Sequence, residues 1–273
     1  MNSKLSIITI NLNNKIGLEK TIKSVITQTF NEIEYIIIDG GSNDGSIEII
    51  RNYNVKNKFI WLSEPDRGIF HAMNKGIKMA SGEYLLFLNS GDTLVDNSVL
   101  EKVLRLNICE DYVFGNFNIE KKGKVIYKDV CLEYEEPSLY NLIDGSLPHQ
   151  ASFIKKKLFT KYGLYDENLK YSGDWEFCIR TIILNNCSIK HIQITTTNYD
   201  IEGISSVYFN LAKEEKIQIL DRFFPKRLIT DFLDILEIKN EYNKISWYRQ
   251  HPIFYYFFNL MYKIGKKIVI KQI

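Results

Sequence analysis

Between residues 5 and about 115, short β-rich apolar runs alternate with segments whose apolar residues recur at helical spacing, and this alternation constrains the fold more than any other feature of the chain. Residues 5–10 read as a strand, and Leu18, Ile22, Val25 and Ile26 mark a helix. Residues 35–38 form a continuous apolar strand that stops at Asp39 and turns at Gly40 and Gly41. Residues 42–45 cap a helix through Ile47 and Ile50, 59–62 form a third strand, and Ile69, Met73, Ile77 and Ala80 define a helix of about three turns. A buried strand at 84–88, a helix through Val99, Leu100, Val103 and Leu104, and a strand at 112–117 complete the series. Such an order predicts an α/β fold with a Rossmann-like mixed sheet flanked by helices.

Carboxylates recur where these strands end. Asp39, Asp66 and Asp92 each lie just past a strand or in the loop that it feeds, the edge at which open α/β sheets bind ligands. Singly, Asp39-Gly40 and Gly91-Asp92 are ordinary turn chemistry. Three acids converging on one edge call for a cation or for hydrogen-bond donors from a ligand. The stretch 63–76 concentrates this chemistry: Glu64, Asp66 and Arg67 stand at the mouth of the helix that carries Asn74. A helix N-terminus with an arginine suits phosphate, while a charged cap would explain the same residues without a ligand.

Composition narrows the classes. With 273 residues, 45% hydrophobic and 25% charged, the chain suits one or two globular domains with a sizeable core. A net charge of +2 gives no argument for nucleic acid. Cys109, Cys131, Cys178 and Cys187 lie far apart and read as small buried side chains in a reducing compartment. The first residues run directly into a strand too short for a signal-peptide core, so the expected location is cytoplasmic.

Beyond residue 120 the pattern is less regular. Residues 121–124, Lys-Lys-Gly-Lys, predict an exposed hairpin turn, and 147–153, with His149 and Gln150, lead into another strand. Ser172-Gly173-Asp174-Trp175-Glu176 opens a helix that turns Trp175, Cys178, Ile179, Ile182 and Ile183 inward. Asp174 reads as its N-cap and Glu176 as a first-turn acid; a glycine beside them also lets a ligand approach, which makes a general base of either acid.

Taken in order, 6–11, 38–46, 63–76, 89–92, His149-Gln150, 173–176 and 203–206 resemble the family 2 glycosyltransferases of GT-A fold, especially those that build bacterial surface polysaccharides (capsule, O-antigen or exopolysaccharide). The resemblance spans roughly residues 3–210. It implies a catalytic domain at 1–210, a helical extension at 211–273, and inverting transfer of a sugar from a nucleotide-diphosphate donor to a hydroxyl on a glycan or lipid-linked glycan. It further implies that Thr9 and Asn11 line the nucleotide pocket, that Asp39 meets the base edge, that Asp66 and Arg67 contact the nucleotide or diphosphate, and that Asn74 and His149 belong to the same pocket. Asp92 matches the last acid of the family's DxD-type motif and would hold Mn²⁺ or Mg²⁺; Asp174 would be the base, with Glu176 as second candidate. Where many relatives write Asp-Ser-Asp-Asp, this chain has Asn89-Ser90-Gly91-Asp92, a single carboxylate. His71 stands where aspartate is common, and its task stays open.

The last segment sets aromatic residues of 253–262 beside Lys263, Lys266, Lys267 and Lys271. The apolar run is too short to span a bilayer. A helix in the membrane interface and a helix packed on the catalytic domain or on a second subunit, as in a homodimer, explain it equally well. Two rivals to an enzyme of this family are a non-catalytic nucleotide-sugar-binding scaffold of a polysaccharide assembly system and a nucleotidyltransferase. The latter should carry a glycine-rich basic loop after the first strand, where this chain has only Asn11-Leu12-Asn13-Asn14-Lys15.

Overall fold

The structure is a computed structural model that describes residues 4–30, 32–130, 137–144, 147–201, 208–251, 253–257 and 259–262. The matched stretch 203–206, Cys131 and the four C-terminal lysines lie outside them. The described residues divide into two compact units, 1–219 and 220–273, the division falling inside a helix.

The first unit is built on a mixed sheet. Strands β1 (Leu5–Asn11), β2 (Ile33–Asp39), β3 (Ile60–Ser63) and β4 (Tyr84–Phe87) pair in parallel in the spatial order β3-β2-β1-β4. Helices α1 (Lys15–Ile26), α2 (Ser46–Asn57) and α3 (Ile69–Met79) connect them. The second half adds β5 (Thr93–Leu94), β6 (Tyr112–Lys121), β7 (Lys124–Val130), β8 (Ser152–Lys155) and β9 (Ile189–Asp200), with α4 (Val99–Leu104), α5 (Leu139–Asp144), α6 (Lys156–Tyr162) and α7 (Gly173–Cys178). β8 runs antiparallel to both β4 and β6, and so joins the parallel half to the rest. The predicted hairpin turn joins β6 to β7, with Lys122 and Gly123 at φ 49° and 73°.

Each central strand is apolar on both faces because helices cover both. Ile7, Ile37 and Leu86 pack with Leu18, Ile22 and Val25 of α1 and with Leu100 and Val103 of α4, all buried. On α3, Phe70, Met73 and Ile77 are buried. α3 lies so close to β1 that a Cβ on Gly76 would sit 2.4 Å from Ile8 Cγ2. α7 also packs closely on α3: a Cβ on Gly173 would fall 2.8 Å from the Phe70 ring.

Three expectations are corrected. Ser172, not Asp174, is the N-cap of α7, and Asp174 stands in its first turn. The helix passes into a single π turn at Ile179–Ile183, which leaves Ile183 half-buried while Trp175, Cys178, Ile179 and Ile182 are buried as expected. Cys178 and Cys187 are buried, but Cys109 is exposed.

The second unit holds the end of α8 (Phe209–Phe223), then α9 (Lys226–Gln250), and the described residues of 253–262 are helical. No described helix is long and apolar enough to cross a membrane.

Replacing Gly76 with alanine would ordinarily favour a helix interior by roughly 0.5–1 kcal/mol. Here overpacking against Ile8 should destabilise the protein by about 1–3 kcal/mol. Denaturant unfolding checks the sign, and a stabilised G76A variant would contradict the close α3–β1 contact.

Candidate active site

Four side-chain groups gather at the carboxyl ends of β1, β2, β3 and β4. The first centres on Asp39, which is completely buried. Its Oδ1 accepts from Asn11 Nδ2 (2.8 Å) and Ser42 Oγ (2.6 Å), and its Oδ2 from the N–H groups of Gly41 (3.1 Å) and Ser42 (2.9 Å) and from Ser63 Oγ (2.7 Å). Burial alone would raise the Asp39 pKa, but these donors hold it below the ordinary carboxylate value. Asn11 extends the network, its Oδ1 accepting from Ser90 Oγ at 2.7 Å. Five donors thus hold the carboxylate and fix the turn that follows β2, the place at which a nucleotide base contact is expected. Thr9 lies deeper in β1. It is completely buried and donates to Leu88 O at 2.8 Å, beneath the edge it was expected to line.

The second group flanks the start of α3. Lys75 Nζ sits 2.5 Å from Asp66 Oδ1 and 2.9 Å from Glu64. His71 acquires a place: its Nδ1 accepts the Arg67 N–H at 3.2 Å and lies 3.4 Å from Asp66 Oδ1. Arg67, 73% exposed, pairs with Glu167 at 2.5 Å. Asn74, expected in the donor pocket, is buried and bonded to the 165–167 segment. Its amide accepts from Tyr165 N (3.1 Å) and donates to Tyr165 O (2.9 Å) and Glu167 Oε1 (3.1 Å).

The third group is the turn 89–92. Thr21 of α1, buried, donates to Asp92 O at 2.7 Å and accepts from Gly91 N at 3.0 Å, and Asn14 Nδ2 donates to Ser90 O at 3.0 Å. Asp92 is 4% exposed and its Oδ1 accepts the N–H of Asp200 at 3.0 Å. Burial, with the Asp200 charge added, pushes its pKa up to about 7. Asp200, at the end of β9, was not singled out from sequence. Its Oδ2 lies 3.3 Å from the point a Gly91 Cβ would occupy, so its carboxylate stands where a side chain at position 91 would reach. These hard oxygen donors suit Mn²⁺ or Mg²⁺ in kind, and a cation would relieve the cost of the buried charge. Among the described residues, no group of three or more acidic, histidine or cysteine side chains is placed to hold an ion, so a diphosphate and water would have to complete the coordination.

The fourth group is a chain from β4 to α7. His149 Nδ1 contacts Asp174 Oδ2 at 3.0 Å and its Nε2 contacts Asn89 Nδ2 at 3.1 Å. Asn89 Oδ1 is buried without a partner; turning the amide over would give that oxygen to a protonated ring. Burial would lower the His149 pKa, but the Asp174 hydrogen bond and the charges of Asp174 and Asp92 raise it overall. Burial would raise that of Asp174, but His149 and the Trp175 N–H lower it overall, so the carboxylate stays charged at neutral pH. Glu176, the second candidate base, is 4% exposed and gripped by Arg180 through Nε–Oε1 (3.1 Å) and NH2–Oε2 (2.9 Å). Arg180 in turn donates to the carbonyls of Tyr162, Gly163 and Leu164. Glu176 thus belongs to the scaffold.

A cavity of about 420 Å³ lies at the opposite end of the sheet, lined by Ile33, Glu34 and Tyr35 at the start of β2 and by Phe59 and Ile60. It shares no residue with these four groups.

A half-parallel mixed sheet with acids at the carboxyl edge has the GT-A architecture. The Glycosyl transferase family 2 model matches residues 6–160, and the chain belongs to that family: it is a glycosyltransferase. It is 32% identical over 210 residues to an uncharacterized glycosyltransferase of Mycobacterium tuberculosis, covering 74% of this chain and 77% of that one. It is 26% identical over 233 residues to a PGL/p-HBAD biosynthesis glycosyltransferase of Mycobacterium bovis, covering 82% and 83%. Among solved structures, Staphylococcus aureus TarS 1–349 in complex with UDP-GlcNAc superposes with a TM-score of 0.63 at 20% identity, over 75% of this chain and 61% of the 1–349 chain, less than two thirds of its length. Mannosyltransferase PcManGT of Pyrobaculum calidifontis in complex with GDP-Man and Mn²⁺ gives 0.52 at 14%, over 70% and 55%. At these identities the structural likeness carries the fold.

The His149–Asp174 pair has a pH signature. A raised histidine pKa stabilises the fold fully below the ordinary value of 6.5, and that contribution is lost as pH rises through the folded value. The lowered pKa of Asp174 contributes above its ordinary 3.8. The melting-temperature gap between wild type and H149Q should therefore be wider at about pH 5.5 than at about pH 9; a gap that widens with pH would contradict the pairing.

Proposed function

We propose that the enzyme transfers a sugar with inversion from a nucleotide-diphosphate donor to a hydroxyl of a glycan or lipid-linked glycan in surface polysaccharide synthesis, using Asp174 as base. The observation that carries this reading is the Asn89–His149–Asp174 chain. It sets a charged carboxylate from α7 against the same turn that bears Asp92, so base and diphosphate end come from different segments of one edge. In a single displacement the acceptor oxygen bonds to the anomeric carbon, the carbon–oxygen bond to the diphosphate breaks, and the acceptor proton passes to Asp174. His149 orients that carboxylate and disperses the charge change.

Asp92 and Asp200 would hold a divalent cation, which when bound neutralises the departing diphosphate. Asp200 then supplies the carboxylate that the Asn89-Ser90-Gly91-Asp92 turn lacks, because Gly91 leaves its space open. Arg67 is the exposed cation at the helix mouth and can exchange Glu167 for a phosphate. Asp66 and Lys75 set the electrostatics beside it.

The extension from about residue 211 holds the enzyme against the inner face of the membrane. Ile253, Phe254, Tyr256, Phe257, Met261 and Tyr262 are all exposed. From residue 242 onward the chain carries six basic residues and no acid, which fits an anionic lipid surface.

D174N should lower transfer at least about 10³-fold while leaving donor binding unchanged, and D200N should weaken Mn²⁺-dependent donor binding in calorimetry. Full turnover by D174N, or a retained anomeric configuration in the product by NMR, would refute the mechanism. The full chain should sediment with phosphatidylglycerol vesicles and be released by about 0.5 M salt. Equal recovery with and without vesicles would refute the membrane role.

A further inference from the structure

The loop that delivers Asp174 is held by a helix some 40 residues further along the chain. Glu215 lies on α8, and its carboxylate accepts three consecutive backbone N–H groups: Lys170 at 2.7 Å on Oε1, and Tyr171 at 2.9 Å and Ser172 at 2.7 Å on Oε2. The same helix takes a second hold one turn earlier, where Ser172 Oγ donates to Ala212 O at 3.1 Å. Lys216, the next residue, lies 5.2 Å over the Trp175 ring, and its charge helps keep Asp174 ionised.

The held segment is short and has little freedom. Ser172 caps α7, Gly173 packs against Phe70, and Asp174 follows. At its other end, Asn74 binds both backbone groups of Tyr165, and Glu167 pairs with Arg67. Residues 165–174 thus form a strap between the donor-side helix α3 and the carboxylate of Asp174. Glu215 and Ala212 tie its last three residues before Gly173 to α8 by hydrogen bonds, and the Tyr171 ring packs 5.5 Å from that of Tyr208 at the start of that helix.

We propose that Glu215 is a positioning residue for transfer: by fixing the N–H groups of residues 170–172 it sets the place of Asp174 at the site. This rests on Asp174 being the base. A carboxylate matches three converging N–H groups better than any neutral side chain. Without it, those groups turn to water, and the first turn of α7 gains the freedom to shift. Displacements of about 1 Å at a reacting group can cost on the order of 100-fold in rate.

The experiment uses the full chain with E215A, E215Q and S172A, and with the best donor from a panel of UDP-, GDP- and dTDP-sugars. E215A should lower kcat about 10- to 100-fold with the donor KM within about twofold of wild type. E215Q retains an acceptor oxygen and should recover part of the rate; S172A, which loses one hold, should lose least. Amide exchange of residues 170–175 should rise at least about tenfold in E215A and less in E215Q. If E215A does not fold, the E215Q and S172A rates and exchange decide. An unchanged kcat, unchanged exchange at 170–175, or kcat and donor affinity falling together with the folded fraction would overturn the proposal. D174N separates the two readings: if it transfers normally the base assignment fails, whatever Glu215 does.

Discussion

A buried carboxylate at the end of the second strand, Asp39, is the interaction on which the donor-side half of the edge depends. Its five donors come from β1 (Asn11), from the turn it starts (Gly41 and Ser42) and from the end of β3 (Ser63). A buried charge is tolerated only when it is surrounded in this way. Because Asn11 also takes the Ser90 hydroxyl, the same network reaches the end of β4 and the turn bearing Asp92. One ionised group therefore sets four strand ends in register with one another, and losing it would disorganise the edge as a whole.

The half of the edge that carries Asp174 is assembled differently. It consists of a strap, residues 165–174, held by side chains from elsewhere: Asn74 and Arg67 at one end, Glu215 at the other. Arg180 fastens Glu176 and the carbonyls of 162–164 behind it. The two halves meet at His149, which touches Asn89 from the first and Asp174 from the second. A single imidazole thus couples the turn that bears Asp92 to the carboxylate of Asp174, which in the proposed mechanism takes the proton.

Much of the first half was legible in the sequence, because parallel strands buried on both faces are written as continuous apolar runs, as at 35–38 and 84–87, and turns announce themselves in Asp and Gly. What could not be read was direction. Thr9 and Asn74 lie in the right motifs, yet Thr9 points beneath the sheet edge to Leu88 O, and Asn74 faces Tyr165. Periodicity says which face of an element a residue occupies but not whether its polar atoms are already engaged. Asp200 and Glu215 were missed for a related reason: each acts on a segment more than 40 residues away, and no local spacing signals such a partner. Asp200 left one trace, since it ends a β-rich run shortly before the matched stretch 203–206, and the glycine at position 91 marks the space it fills.

The central claim is that the carboxyl ends of β1, β2 and β4 hold the diphosphate of a nucleotide sugar. Crystals grown with UDP or GDP and Mn²⁺ test it directly through the anomalous scattering of manganese. The account predicts a manganese peak between the diphosphate and the carboxylates of Asp92 and Asp200, on the edge organised by Asp39. Manganese and nucleotide at any other place, such as the cavity at the opposite ends of β2 and β3, would contradict it.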